Sequence, residues 1–250
     1  MHTQASLQLL IEAAEDLGLQ PKLITDYGLL SIKIGKTRHT IFFTACPLND
    51  SLASYLTKNK HATRLVLAAN DLPNIPYLLP KNIAEAEVFL QEHSWVIAKP
   101  TKGKQSRGVK LIKSSPELAK HPLKNMLLES YIKGIELRCL VANNKVLAVH
   151  QRDFPGQINN PKNVRRIALA KDKWQPQITA IAQAAMRALN LRFGVVDFII
   201  KNDTPYILEI NSAPGLYYFQ YPHKGKGIAI GRIYLSLIAK HYQPNWKAPF

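Results

Sequence analysis

Apolar residues recur at Leu7, Leu10, Ile11, Ala14 and Leu17, the spacing of a helix lying on a core, and Gly18 supplies its stop. Short apolar runs at 23–25, 29–34 and 40–44 read as strands. A helical pattern returns over 48–67, with Asn59 and Lys60 inside it, and Asp71-Leu72-Pro73-Asn74-Ile75-Pro76 ends it. A second block begins near Tyr77. There Asn82 and Glu85 have capping-box spacing ahead of Ala86, Val88, Phe89 and Leu90. Strands at 95–98 and 109–112 flank Lys99, Pro100 and a basic loop over 101–108. The segment 126–136 leads into strands 137–142 and 146–151 around Asn143-Asn144-Lys145. Residues 154–173 are polar, basic and marked by Gly and Pro, and 175–189 is an amphipathic helix through Ile178, Ile181, Ala182, Ala185 and Leu189. Apolar runs at 195–200 and 206–210 then flank the polar stretch 201–205, a hairpin with a five-residue loop. Ala213-Pro214-Gly215, an aromatic run over 217–221 and a helix over 227–242 follow.

Strand alternation turns two of these hairpins into candidate chemistry. A turn centred on Asp203 sets Asp197 opposite Glu209, with Cβ atoms roughly 4.5–5.5 Å apart, where like charges repel. Asn211 lies two residues on and shares that face. Two carboxylates and an amide oxygen form a hard-oxygen set suited to Mg²⁺, which retains waters and binds substrate phosphates. A surface hairpin with solvated acids has the same spacing. If 143–145 closes the other hairpin, Glu136, Arg138, His150 and Arg152 share one face. The glutamate could hold ribose hydroxyls and the arginines could clamp phosphate or carboxylate, although a plain cross-strand Glu–Arg pair has this pattern too. The 101–108 loop carries Gly103, Ser106, Arg107 and Gly108 between strands. Its glycines allow close backbone approach to phosphates, as in a phosphate cover, and equally suit an ordinary hairpin loop; it is not a Walker A loop.

The charge narrows the partners. The 250 residues carry a formal net charge of +16, which favours anionic ligands: nucleic acid, anionic lipid, nucleotide phosphates or acidic peptide. The charge is uneven: no acid occurs from Lys99 to Lys113, and between Arg138 and Val196 the only acids are Asp153 and Asp172. The length allows two or three small subdomains or one large domain. The sequence lacks a run of 18 apolar residues and an N-terminal secretion pattern, which predicts neither membrane span nor export. Cys46 and Cys139 sit in apolar runs without metal-ligand spacing, as reduced intracellular thiols do.

Taken in order, VIAKPTKGKQSRGVKLI, LLESYIKGIELRCLVANNKVLAVHQR and FGVVDFIIKNDTPYILEINSAPGL resemble the ATP-grasp carboxylate–amine ligases. The similarity is to the branch with ribosomal-protein glutamate ligase, bifunctional glutathione synthetase and cyanophycin synthetase, over roughly Asn59 to Tyr242. The resemblance implies an α+β ATP-grasp fold, two α+β subdomains gripping ATP, with a short N-terminal α/β segment. The implied division is 1–58 as a reduced pre-grasp segment and 59–250 as the grasp domain, with a lid-bearing part, 59–132, and a metal- and substrate-binding part, 133–250.

The implied reaction is transfer of the ATP γ-phosphate to a carboxylate, followed by displacement of phosphate by an amine. Matched residue by residue, Asp197, Glu209 and Asn211 correspond to the Mg²⁺ ligands, and Lys60 and Lys99 to the lysines on the ATP phosphates. Gly103, Ser106, Arg107 and Gly108 fall in the phosphate lid. Glu129, Tyr131 and Ile132 match the adenine linker and Glu136 the ribose position. Arg152 matches an arginine near the γ-phosphate or acyl phosphate, and Arg138 a substrate-carboxylate arginine. The resemblance implies ATP and two Mg²⁺ ions, with Mn²⁺ as a substitute. The implied partners are a carboxylate-bearing amino acid or peptide, an amine acceptor and an acidic peptide or protein, in a cytoplasmic enzyme able to form a homo-oligomer, with no membrane role and with nucleic acid the less expected partner. The chain departs from the family at Ser106, where a lid glycine is frequent, and at Phe154-Pro155-Gly156-Gln157, where the glutathione and cyanophycin synthetases have Gly-Asp-Gly. The segment before Asn59 is short for a pre-grasp domain, which predicts a reduced first-substrate site or one completed by a partner. Two other readings fit the charge or the motifs: a non-catalytic nucleic-acid-binding protein and an inactive ATP-grasp scaffold.

Overall fold

The computed structural model describes residues 2–103, 108–154 and 164–248. Helix α1 (His2–Asp16) comes first and ends where Gly18 takes φ +66°, letting Leu19 N–H reach the Ala14 carbonyl. Its buried face is wider than the predicted stripe: Leu9 and Ala13 are buried as well, and Ile11 is only partly so. Strands β1 (Lys22–Thr25), β2 (Leu29–Ile34) and β3 (Thr37–Phe42) form an antiparallel sheet in that order. The third strand starts earlier than predicted because Gly35, at φ +59°, closes a two-residue turn that pairs Ile34 with Thr37.

The single helix expected over 48–67 is two, α2 (Ser51–Lys58) and α3 (Lys60–Ala68). Asn59 is extended (φ −107°, ψ 104°) and its side chain accepts from Ala62 N–H, so it caps α3 and breaks α2. It also pairs with Lys102, tying this break to the basic loop.

A four-stranded antiparallel sheet follows, built from β4 (Tyr77–Leu78), β5 (Val96–Pro100), β6 (Lys110–Ile112) and β7 (Met126–Ser130) in the order β4-β7-β5-β6. Helices α4 (Ile83–His93) and α5 (Ser115–Leu118) cover it through Ala86, Phe89, Leu90 and Leu118. The predicted Asn82 cap holds, accepting from Glu85 N–H at 2.9 Å, while Glu85 accepts from Lys81 N–H at 2.9 Å.

A five-stranded sheet joins β8 (Ile135–Ala142), β9 (Lys145–Asp153), β10 (Arg165–Ala168), β11 (Phe193–Lys201) and β12 (Thr204–Asn211) in the order β10-β9-β8-β11-β12, all antiparallel. Gly134 leads into it, and a Cβ there would collide with the Ile200 carbonyl. One face, through Leu137, Cys139, Val196, Phe198 and Ile200, packs on α6 (Pro176–Ala188). At one end of the opposite face, Leu140, Phe193 and Val195 join the core of α1, β2 and α8 (Ile230–Tyr242), next to the short α7 (Tyr217–Gln220). The other end of that face is left for the site.

Both predicted hairpin registers are present, but not by the predicted loops. The β11–β12 turn is two residues, Asn202 and Asp203, at φ 48° and 60°. That turn alone would set Asp197 opposite Leu208. A one-residue bulge between Glu209 and Ile207 restores the Asp197–Glu209 pairing. The β8–β9 turn is likewise Asn143-Asn144, at φ 44° and 59°, and a bulge opposite Leu140 and Val141 restores Glu136 to Arg152 and Arg138 to His150. Two-residue turns of this sign match the right-handed twist of paired strands, and Asn tolerates the left-handed region.

Candidate active site

The open half of the five-stranded sheet and the edge of the four-stranded sheet enclose a cavity of about 320 Å³. Its floor is laid out by register. Asn211 and Glu209 on β12 face Val195 and Asp197 on β11; Arg138 on β8 lies beside Asp197, and Glu136 and Arg152 continue the row onto β9. The roof is Lys60, Ile97, Lys99, Gly103, Val109 and Glu129, and Ser130, Tyr131 and Ile132 form the back wall. Of the fifteen residues singled out from the sequence, the cavity thus gathers Lys60, Lys99, Gly103, Glu129, Tyr131, Ile132, Glu136, Arg138, Arg152, Asp197, Glu209 and Asn211. Gly108 stands outside its lining at φ +74°, over Pro100. Ser106 and Arg107 lie outside the described residues.

Asp197 is buried, with Arg138 Nε 3.2 Å from its Oδ1. The two atoms attract by charge but are misaligned, and neither has a hydrogen-bond partner among the described residues; Arg152 Nε is in the same condition. Buried polar atoms left this way cost about 1–3 kcal/mol each unless a ligand satisfies them. Asp197 Oδ1 fits a cation, and Glu209 directly opposite supplies a second carboxylate. Asn211 Oδ1 accepts from Ala213 N–H at 2.9 Å and has a second lone pair to offer. No group of three or more His, Cys, Asp or Glu suited to a metal occurs among the described residues. Two carboxylates and an amide oxygen are a hard-oxygen set whose chemistry fits a Mg²⁺ ion, which would take further oxygens from phosphate and water.

Glu136 pairs with Arg152 at 3.3 Å. Burial raises its carboxyl pKa, with Asp197 adding to the rise and Arg152 opposing it. On the roof, Lys99 pairs with Glu129 Oε2, and Arg64 of α3 holds Oε1 at 2.9–3.0 Å. Burial lowers the Lys99 pKa, with Glu129 opposing and Arg64 assisting. Burial alone would raise Glu129, but Arg64 and Lys99 outweigh it and hold the carboxyl below its usual range. Lys60 stands at the first turn of α3 and donates to the Gly103 carbonyl at 3.2 Å. Tyr131 N–H is committed to the Trp95 carbonyl at 2.9 Å, so a backbone contact from this residue to a ligand would run through its carbonyl oxygen.

A second cavity of about 120 Å³ shares Arg138 and Arg152 with the first and adds His150, Arg166, Tyr217 and Tyr218. Arg166 comes from β10, a strand inside the polar, basic, Gly- and Pro-marked stretch 154–173, where it lies beside Arg152 and over the Tyr218 ring at 3.9 Å. Burial, assisted by Arg138 and Arg166, pushes the His150 pKa down to about 4, so its imidazole is neutral near pH 7. Sequence reasoning missed Arg64 altogether. A lone arginine on an amphipathic helix carries no signal of partners 65 and 143 residues away.

Two sheets gripping such a cavity define the ATP-grasp fold, and solved structures agree. The bifunctional glutathione synthetase from Pasteurella multocida superposes with a TM-score of 0.70 over 96% of this chain and 43% of that one, at 16% identity. The D-alanine–D-alanine ligase from Bacillus anthracis complexed with ATP gives 0.61 over 77% and 68%, at 19% identity. The ATP-grasp ligase PsnB complexed with its minimal precursor gives 0.63 over 78% and 63%, at 18% identity. The profile of the RimK-like ATP-grasp domain matches residues 57–232, and the chain belongs to that family. A probable alpha-L-glutamate ligase of Legionella pneumophila is 30% identical over 206 residues, 77% of this chain. Another from Pseudomonas putida is 26% identical over 213 residues, covering 80% of this chain and 67% of its own length. The chain spans 66% of the length of the Legionella relative. No helix among the described residues is long and apolar enough to cross a membrane.

Proposed function

We propose that this protein is an ATP- and Mg²⁺-dependent ligase that joins a carboxylate to an amine, with an acidic amino acid or peptide as substrate. One observation carries the reading: Arg138 and Arg152 line both cavities, and each keeps a buried Nε without a hydrogen-bond acceptor. Donors left in this state between a nucleotide-sized and an amino-acid-sized space suit the oxygens of a phosphoryl group in transit. In the reaction, a carboxylate oxygen attacks the γ-phosphorus and ADP leaves. The amine nitrogen then attacks the acyl carbon, phosphate departs and the nitrogen sheds a proton.

Asp197, Glu209 and Asn211 are assigned to Mg²⁺, as two ions by family resemblance and with Mn²⁺ as a substitute. The metal would neutralise phosphate charge. Lys60 and Lys99 are assigned to the phosphates, Gly103 to the lid that excludes water, Glu136 to the ribose, and Tyr131 and Ile132 to the base. Arg138, Arg152 and Arg166 meet at the second cavity, whose lining among the described residues includes no Asp or Glu, and this local positive charge suits a substrate carboxylate. The name carried by the Legionella relative, a probable glutamate ligase, supports the same substrate class. Because these arginines lie in enclosed cavities, a nucleic-acid-binding role is not favoured, and the filled metal and lysine positions argue against an inactive scaffold.

The test is ADP release from ATP across a panel of amino acids, dipeptides and acidic peptides, with mass spectrometry of the product. Release should require an acidic substrate and yield an amide. Turnover indifferent to the panel would overturn the substrate assignment.

A further inference from the structure

Arg64 is 3% exposed and lies behind the cavity wall rather than on it. Its guanidinium meets acceptors from three parts of the fold. Nε and Nη2 hold Glu129 Oε1, Nη1 donates to Asn74 Oδ1 at 2.9 Å and the Ile207 carbonyl at 2.6 Å, and Nη2 donates to the Leu208 carbonyl at 2.8 Å. Asn74 returns a bond to the Arg64 carbonyl at 2.9 Å. We propose that Arg64 is a positioning residue for nucleotide binding, setting the phosphate-facing Lys99 through Glu129 and the metal-facing Glu209 through the β12 bulge. The inference rests on the nucleotide reading given above.

Two physical arguments support it. If Glu129 faced Lys99 alone, a buried one-to-one pair would form, and a phosphate would have to compete with a desolvated carboxylate for the ammonium. With Arg64 on the same carboxylate, two cations share one anion, and the surplus positive charge lies beside the cavity, where a phosphate can balance it. The second argument concerns the bulge. Strand β12 is the edge of its sheet, where Ile207 makes an isolated parallel bridge to Asn74 and no further strand among the described residues pairs with β12. Arg64 supplies donors to the Ile207 and Leu208 carbonyls, and Ile207 N–H is taken by the Pro73 carbonyl at 3.1 Å. The bulge is what brings Glu209 opposite Asp197. A planar fork reaches these acceptors together, whereas an ammonium, a compact point charge, does not.

The experiment is calorimetric titration of Mg²⁺–ADP into the full chain, as a double-mutant cycle of Arg64→Lys and Lys99→Met. Arg64→Lys should weaken binding about tenfold, the loss of roughly one charge-assisted hydrogen bond. In the Lys99→Met background the same change should cost less than about threefold, since contacting residues are non-additive. Losses that add independently would mean a structural role only and overturn the proposal. Asn74→Ala, which removes one support of Arg64, carries the cycle if Arg64→Lys does not fold: about threefold weaker binding, again coupled to Lys99, is expected, and unchanged affinity overturns the proposal. Binding by the unsubstituted chain that Arg64→Lys leaves intact overturns this inference alone. No binding by the unsubstituted chain overturns the nucleotide reading and this inference with it.

Discussion

Glu129 and Asp197 are carboxylates buried against the same cavity, and they are held in opposite ways. Glu129 has both oxygens taken, one by Lys99 and one by Arg64, and those cations are themselves fixed by β5 and α3. Asp197 has a single arginine beside it, off-axis, with the facing atoms of both side chains lacking hydrogen bonds. A completed cluster holds two sheets in a fixed relation. An incomplete one stores an unmet demand for a ligand. The contrast separates charges that build the site from charges that use it.

The largest expected effect breaks the completed cluster. Glu129→Gln leaves Lys99 and Arg64 buried without their anion and should cost about 3–5 kcal/mol of stability, read from denaturant unfolding. The pH dependence follows from the depressed pKa of Glu129. Its contribution is full above the usual carboxylate value of 4.5 and is lost as pH falls through the lower folded value, so the variant's deficit should shrink only in acid.

Asp197→Asn should do the reverse. Stability should fall less than in Glu129→Gln, because Asp197 has one off-axis arginine beside it rather than two cations, and its Oδ1 already lacks a hydrogen bond. ADP formation should fall roughly 10²–10³-fold, the scale of losing a group that stabilises developing charge. Equal stability losses in the two variants would erase the distinction drawn between them.

The smallest effect concerns the arginine wall next to Asp197. His150 titrates near 6.5 in an unfolded chain and near 4 when folded, so the unfolded state binds the extra proton between those values. Stability should therefore be full above about pH 6.5 and decline as pH falls toward 4, by at most about 3 kcal/mol. His150→Gln should flatten that part of the profile, as measured by thermal unfolding against pH.

The pairing of Asp197 with Glu209, and of Glu136 with Arg152, was legible from strand alternation because charged residues stand out among Val, Ile and Leu. The loops were not. Five-residue and three-residue connections give the observed registers, and so do two-residue turns with a bulge at Leu208 or near Leu147, residues that look like any other strand leucine. Asn59 could have been read as a helix break, since Asn is a preferred cap, but the apolar periodicity on either side masked it. The strand Arg165–Ala168 was hidden in a polar, Gly- and Pro-marked stretch, because its order comes from β9 and from His223, whose Nδ1 accepts Arg166 N–H at 3.1 Å. Arg64 and the core joining α1 to α8 depend on contacts between distant segments, which local patterns do not encode.

That last contact has a consequence for how the protein is made. Asp16, at the end of α1, meets Arg232, at the start of α8, across 216 residues of sequence. A Cβ on Gly231 would strike Leu9 and Ala13, so the two helices touch nearly backbone to backbone. On the ribosome, α1 can pack early on β2, but the part of it that α8 covers stays open through synthesis of the four- and five-stranded sheets. The site-bearing sheet ends at Asn211, before α8 begins, so a stall in translation before Gly231 would leave the face of α1 that α8 covers open to chaperones and proteases.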